Sequence, residues 1–349
     1  MPIAQGDFAA ALKSYQAKQD IISSLAKADP GNAGWQRDLS VSNERLGDVL
    51  LAKGDLASAL AEYRLSFDRM VPIRDRDPSN ADLQRFTLVT LNKIGDVLVA
   101  QGNLPDALKA FRDSLAIRER LAKADPGNAG WQSDLSVSYD RVGDVRVAQG
   151  QLPDALKAFR DSLAIAERLA KADPGNAGWQ RDLSVSYNKV GNVLVAQGNL
   201  PDALKAFRDS QAIFERLAKA DPGNAGWQRD LAVSNERVGD MHARQGETPE
   251  AIAAFERALG AYRSLTARNP DDLPSRVNSV VPLWRLGQLK GSAGRGDLET
   301  ALAILKPLAA ADRIPGYLRL RRSWRSWRIE TTVWSRHFNR KANSTAPFV

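Results

Sequence analysis

Apolar residues return along most of this chain at steps of three and four, in blocks separated by Gly, Pro, Asp and Asn. Leu152, Leu156, Phe159, Leu163 and Leu169 show the pattern. With one six-residue gap they fall on one stripe, which predicts an amphipathic helix over about residues 153–172. A first helix is predicted over about residues 129–149, with the Gly150 turn between the two. So short a turn forces the pair antiparallel. Pro153 suits a helix start, where no N–H bond is lost. The segment Ala-Asp-Pro-Gly-Asn-Ala-Gly closes one hairpin and opens the next. Asp-Pro-Gly breaks the helix, and Asn128 is the expected N-cap of the one that follows.

The hairpin recurs with a period of 48. Trp35, Trp131, Trp179 and Trp227 obey it, with Leu83 at the intervening step. Asp29, Asp77, Asp125, Asp173 and Asp221 each precede a proline, and Asn269-Pro270 continues that series. Gly47, Gly95, Gly143, Gly191, Gly239 and Gly287 form one glycine column, and Gly54, Gly102, Gly150, Gly198, Gly246 and Gly294 form a second. Six units fit, at about 30–76, 78–124, 126–172, 174–220, 222–268 and 270–311. Residues 1–29 hold a leading half unit that corresponds to a second helix only. The sixth unit is expected to be irregular, because it carries Pro274, Pro282 and a two-residue insertion near Gly294–Gly296. One hairpin cannot bury both faces, so the units must stack.

These residues resemble the tetratricopeptide repeat family. The family pattern is matched by Val142, Gly143, Gly150, Leu152, Ala155 and Phe159. The first and fourth units match it with Leu46, Gly47, Gly54, Leu56, Ala59, Tyr63 and with Val190, Gly191, Gly198, Leu200, Ala203, Phe207. Gly143 and Ala155 are small where two helices approach, and Phe159 fills the space between units. The period exceeds the family's usual length, and the phrase at 114–123 is similar to longer repeats of the kinesin light chain type. The resemblance implies an all-α fold, a right-handed α-solenoid (superhelix) of antiparallel helix pairs. It also implies a concave groove lined by the first helices, where a partner peptide or helix binds.

Two of the units, 121–168 and 169–216, differ at eight positions, and four of these (133, 140, 141 and 144) share one face of the first helix. By the resemblance this is the groove face. Its polar ladder is Glu44-Arg45 with Asp48, Asn92-Lys93 with Asp96, Asp140-Arg141 with Asp144, Asn188-Lys189 with Asn192, and Glu236-Arg237 with Asp240. Asn and Lys or Arg on such a face clamp peptide carboxylates in the family. Asn188, Lys189 and Asn192 lack the acid at both polar positions, which makes them the candidate anionic contact. Each Arg/Lys–Asp pair also reads as an intrahelical ion pair. The tryptophans read as packing devices between units rather than ligand platforms.

Composition narrows the function classes. The chain has no cysteine and two histidines, of which His242 alone lies in the repeats, so no catalytic residues, metal ligands or cofactor site are expected. No phosphate-binding loop ends in Gly-Lys-Ser/Thr. The reading is of a protein-protein interaction scaffold and not an enzyme. The alternative is the sensor or regulatory repeat region of a larger multidomain signalling protein. A cytoplasmic location is expected: the first residues do not read as a secretory signal and no run is apolar enough to span a membrane. Residues 313–349 hold nine Lys/Arg and one Asp/Glu, which accounts for the whole net charge of +8. The balanced body is not expected to bind nucleic acid. The basic, Trp- and Arg-rich tail (312–349) has three open readings: a cap on the last unit, an anionic-surface binder, or an unstructured extension. The leading helix lacks a partner, so either a longer parent protein or self-association through the N-terminal end is expected.

Overall fold

A computed structural model of the protein describes residues 8–310; the tail, with its three readings, lies outside the described residues. The chain divides into two compact units, Met1–Pro222 and Gly223–Val349. The first contains α1 (Phe8–Ala28), α2 (Ala33–Lys53), α3 (Leu56–Arg76), α4 (Ala81–Ala100), α5 (Leu104–Ala124), α6 (Ala129–Ala148), α7 (Leu152–Ala172), α8 (Ala177–Ala196) and α9 (Leu200–Ala220). The second contains α10 (Ala225–Gln245), α11 (Thr248–Arg268), α12 (Leu273–Asn278), α13 (Val280–Leu289) and α14 (Arg295–Ala310). Among the described residues there is no strand, so the fold is all-α.

In the first unit each helix packs against the next in sequence, from α1 on α2 to α8 on α9. This serial packing defines an α-solenoid. Its core passes from repeat to repeat: Tyr63, Ile94, Val97, Phe111, Val142 and Val145 belong to one buried cluster drawn from three hairpins. No hairpin closes that core by itself, which is why the units exist only as an array.

Local chemistry sets the helix ends. Asn32, Asn80, Asn128, Asn176 and Asn224 cap the first helices, each side-chain oxygen accepting from the backbone N–H three residues on. Such a cap contributes about 1 kcal/mol. The turn glycines take positive φ, as at Gly150 (73°), where Gly150 N–H and Gln151 N–H donate to the carbonyls of Val147 and Arg146. The other glycine column serves close approach. A Cβ on Gly143 would lie 2.5 Å from the Phe159 ring, and the same holds for Gly47 and Tyr63, Gly95 and Phe111, and Gly191 and Phe207. Facing serines are a feature that the sequence pattern did not disclose. Ser136 and Ser162, and Ser184 and Ser210, meet at 2.8 and 2.6 Å across the buried centre of their hairpins.

The second unit follows the same plan and then departs from it. Its first hairpin, α10–α11, buries Phe255 and Tyr262 completely. The next first helix breaks at Ser279 into α12 and α13. Pro282 has no N–H to give the carbonyl of Asn278, and its ring crowds that carbonyl. Pro274 lies in the first turn of α12, where proline is tolerated. Gly294 stands in the turn-glycine column but does not adopt positive φ; that conformation falls at Gly291 (59°). Gly294 instead packs on Gly287, where a Cβ would meet the Gly287 backbone at 2.6 Å. Arg295, Gly296 and Asp297 form the first turn of α14.

Candidate functional site

The polar ladder is built across repeats. Lys93 on α4 places its ammonium 2.7 Å from Glu44 and 2.6 Å from Asp48, both on α2. Arg141 on α6 pairs with Asp96 on α4, and Lys189 on α8 lies 2.7 Å from Asp144 on α6. Each cation also sits over the second-helix aromatic of the repeat before: Lys93 over Tyr63 and Arg141 over Phe111 at 5.5 Å, Lys189 over Phe159 at 5.0 Å. The aromatic ring is thus held between its own hairpin's glycine and the next hairpin's cation. This corrects the intrahelical reading for Lys93, Arg141 and Lys189, while Arg45 and Asp48 approach it at 3.6 Å. Half-exposed ion pairs contribute about 0.2–1 kcal/mol each. Repeated through the unit, they fix the stacking of one hairpin on the next.

Lys189, the centre of the anionic candidate, is therefore already held by a carboxylate of its own chain. Asn188 donates to Ser210 Oγ at 2.9 Å, and Asn192 is exposed. The position one residue before each cation is turned inward. Asn92 is buried and Asp140 is largely so, and Asn92, Asp140, Asn188 and Glu236 each hold an oxygen that is buried without a hydrogen-bond partner. A desolvated carboxylate in that column resists ionisation. Burial pushes Asp140 up to about 6 against the pull of Lys189, with Asp144 and Asp182 adding to the rise.

In the second unit burial pushes Glu236 up to about 8, opposed by its bond with Tyr262. Burial lowers the Arg237 guanidinium, while Glu236 and Asp240 support its charge. Asp240 is raised by burial and held by Arg285, 2.9 Å away. Arg285 and Asp240 repeat there the bridge that joins successive hairpins in the first unit.

Apolar side chains also remain open on the first helices. Val89, Val137 and Val185 occupy one register and are 38%, 48% and 40% exposed. Val137 and Val185 line one cleft, of about 150 Å³, together with Asp140, Asp182 and Trp179. The preceding repeat boundary carries a matching cleft of about 160 Å³, lined by Arg85, Leu88, Arg118, Leu121, Trp131 and Asp134. Trp131 packs against Ala122, Leu135 and Ile165, so the packing reading of the tryptophans holds for it, while the ring also lines the cleft. Sequence reasoning passed over Arg118. The available signal was its column: Ile22, Met70, Ala166, Phe214 and Tyr262 stand at the same register.

The serial helical hairpins define a helical-repeat scaffold, a class that presents extended surfaces to other proteins. Profiles of the tetratricopeptide repeat match residues 86–168 and 188–266. Both stretches are therefore tetratricopeptide repeats. No curated protein sequence matches it. Among solved structures it is similar to BtubC (BKLC) from P. vanneervenii at 15% identity, over 74% of this chain and 92% of that one, with a TM-score of 0.54. It is also similar to the apo form of RapI at 13% identity, over 79% and 85% of the two chains, with a TM-score of 0.53. A Podosopora anserina protein with nearly identical TPR-like repeats aligns at 14% identity over 66% and 95%, with a TM-score of 0.47. The first two likenesses establish the fold. No described helix is long and apolar enough to cross a membrane.

Proposed function

We propose that this protein is an interaction scaffold that binds an extended or helical segment of a partner protein along the exposed face of its first helices. The observation that carries the reading is the valine row. Val89, Val137 and Val185 stay open to solvent at one register in three successive repeats, although each hairpin has a core that could have taken them. A single exposed valine needs no explanation; a row in register, bordered by charge, is what a binding face requires. The ladder residues Asn92, Lys93, Asp140, Arg141, Asp144, Asn188, Lys189 and Asn192 border this row, and Glu236 and Arg237 hold the same register in the second unit. Their part in the reading is to set the shape and charge of the face. Ile21 and Leu25 on α1, 65% and 39% exposed, offer a separate apolar surface for self-association.

The test uses the full chain and a phage-displayed library of random dodecapeptides. Peptides are expected to be selected. The double substitution Val137→Asp with Val185→Asp should weaken a selected peptide at least about tenfold while leaving the melting temperature nearly unchanged, because both side chains already face water. Failure to select any peptide, or unaltered binding to the variant, would remove the reading. Sedimentation velocity across a concentration series, with and without Ile21→Glu, tests self-association; a concentration-independent monomer would discard it.

A further inference from the structure

Arg118 is a buried cation in a column of apolar residues. It lies on α5, and its register is held by Ile22, Met70, Ala166, Phe214 and Tyr262 in the other hairpins, all of them buried. Arg118 is itself 8% exposed. Its Nη1 donates to the backbone carbonyl of Asp134 and lies 3.8 Å from the Asp134 carboxylate, a loose pairing with a group that is half in water. Its Nε–H is buried with no acceptor. Five N–H groups on a guanidinium taken out of water need more than this. Arg85 on α4 lines the same cleft, is exposed, and forms no ion pair or hydrogen bond among the described residues.

The cleft one repeat further along is the control that the chain itself supplies. It has the same construction between α6, α7 and α8, but Ser133 stands where Arg85 does and Ala166 where Arg118 does, and Asp140 and Asp182 line it. The two clefts lie at equivalent repeat boundaries and differ in charge, and Leu88 in the first stands where Ser136 stands in the second. A buried arginine at a place where the fold accepts a methyl, a thioether or a ring is not required for stacking.

From these contacts we infer that the cleft between α4, α5 and α6 is a carboxylate pocket, which takes one Asp or Glu side chain of the bound segment on Arg118 and Arg85. Trp131, Leu88 and Leu121 supply an apolar wall for the methylenes of that side chain. Asp82 and Asp134 also line the cleft. Their charge counts against any anion, and more against a dianionic phosphate than against a singly charged carboxylate. The inference rests on the proposed binding face and specifies what that face selects.

The experiment uses the full chain and the same dodecapeptide library. Peptides selected on the wild type are expected to share an acidic residue, and Arg118→Met should lose that preference in its own selection. For one selected peptide, Arg118→Met and the peptide's Glu→Gln change should each weaken binding about 10- to 100-fold, the worth of a hydrogen bond to a charged group. Combined, they should weaken it no further. Met is the residue at this register in the first repeat, so Arg118→Met should melt at or above the wild-type temperature. Equal binding of the Gln peptide, or of Arg118→Met, overturns the pocket. So does a fall in melting temperature of more than about 5 °C, which would make Arg118 a structural staple. A phosphoserine peptide binding more tightly than its Glu counterpart overturns the carboxylate assignment. Selection of peptides with no acidic residue overturns the pocket and leaves the binding face standing, whereas selection of none overturns both.

Discussion

Replacing Gly143 with Ala tests the packing of the solenoid at its tightest point. Alanine is the better helix former, and in an open helix interior the change would stabilise by about 1 kcal/mol. Here the new methyl would sit 2.5 Å from Phe159 Cε1 and 2.8 Å from Cδ1 and Cζ. The ring cannot retreat: Phe159 is 2% exposed, and the Lys189 ammonium sits 5.0 Å from its centroid. Overpacking of this kind costs roughly 1–3 kcal/mol, and a contact this short belongs at the upper end. After the propensity gain, the net loss is about 2 kcal/mol, or about 4–8 °C in melting temperature for a unit of this size. Gly260, in α11, is the matched control. A Cβ there meets nothing within 4 Å, so Gly260→Ala should raise stability by about 1 kcal/mol. Urea titrations of both variants followed by far-UV circular dichroism give the comparison. A Gly143→Ala protein as stable as the wild type would refute the close-approach argument, since it would mean that the hairpin opens at little cost.

Further outcomes follow from the ladder and the buried acids. A double-mutant cycle on Lys189→Met and Asp144→Asn should give a coupling of about 0.5–1 kcal/mol that shrinks with added salt; zero coupling would mean that the cross-repeat bridge contributes nothing. Glu236, raised to about 8 by burial, makes stability fall as pH rises. Below the ordinary carboxyl range both folded and unfolded forms are protonated. Between that range and pH 8 the unfolded chain has lost a proton that the folded chain keeps, and above 8 the loss is complete. Denaturant titrations should therefore show a downward slope of up to about 1.4 kcal/mol per pH unit in that window, and Glu236→Gln should abolish it. Asp140 adds a smaller fall of the same sign that ends near pH 6. Asn176→Ala should cost about 1 kcal/mol by uncapping α8, measured by thermal melting.

The local grammar of the fold was legible in the chain itself. Helix pairs, the turn at Gly150, the cap at Asn128 and the small residue opposite Phe159 depend on neighbours a few residues apart. Those neighbours recur every 48 positions, so each reading could be checked against its copies. Tertiary structure decided which partner each ladder cation takes. Lys189 could in principle reach a group one turn along its own helix or Asp144, which is 45 residues earlier. Periodicity is the same for both, and only the stacking distance of successive hairpins selects the second. That stacking also turned Asn92 and Asp140 inward, left the Val89, Val137 and Val185 row outward, and enclosed Arg118 in a cleft. Burial is a property of the space between repeats, and a one-dimensional pattern that is identical in every repeat carries no measure of that space.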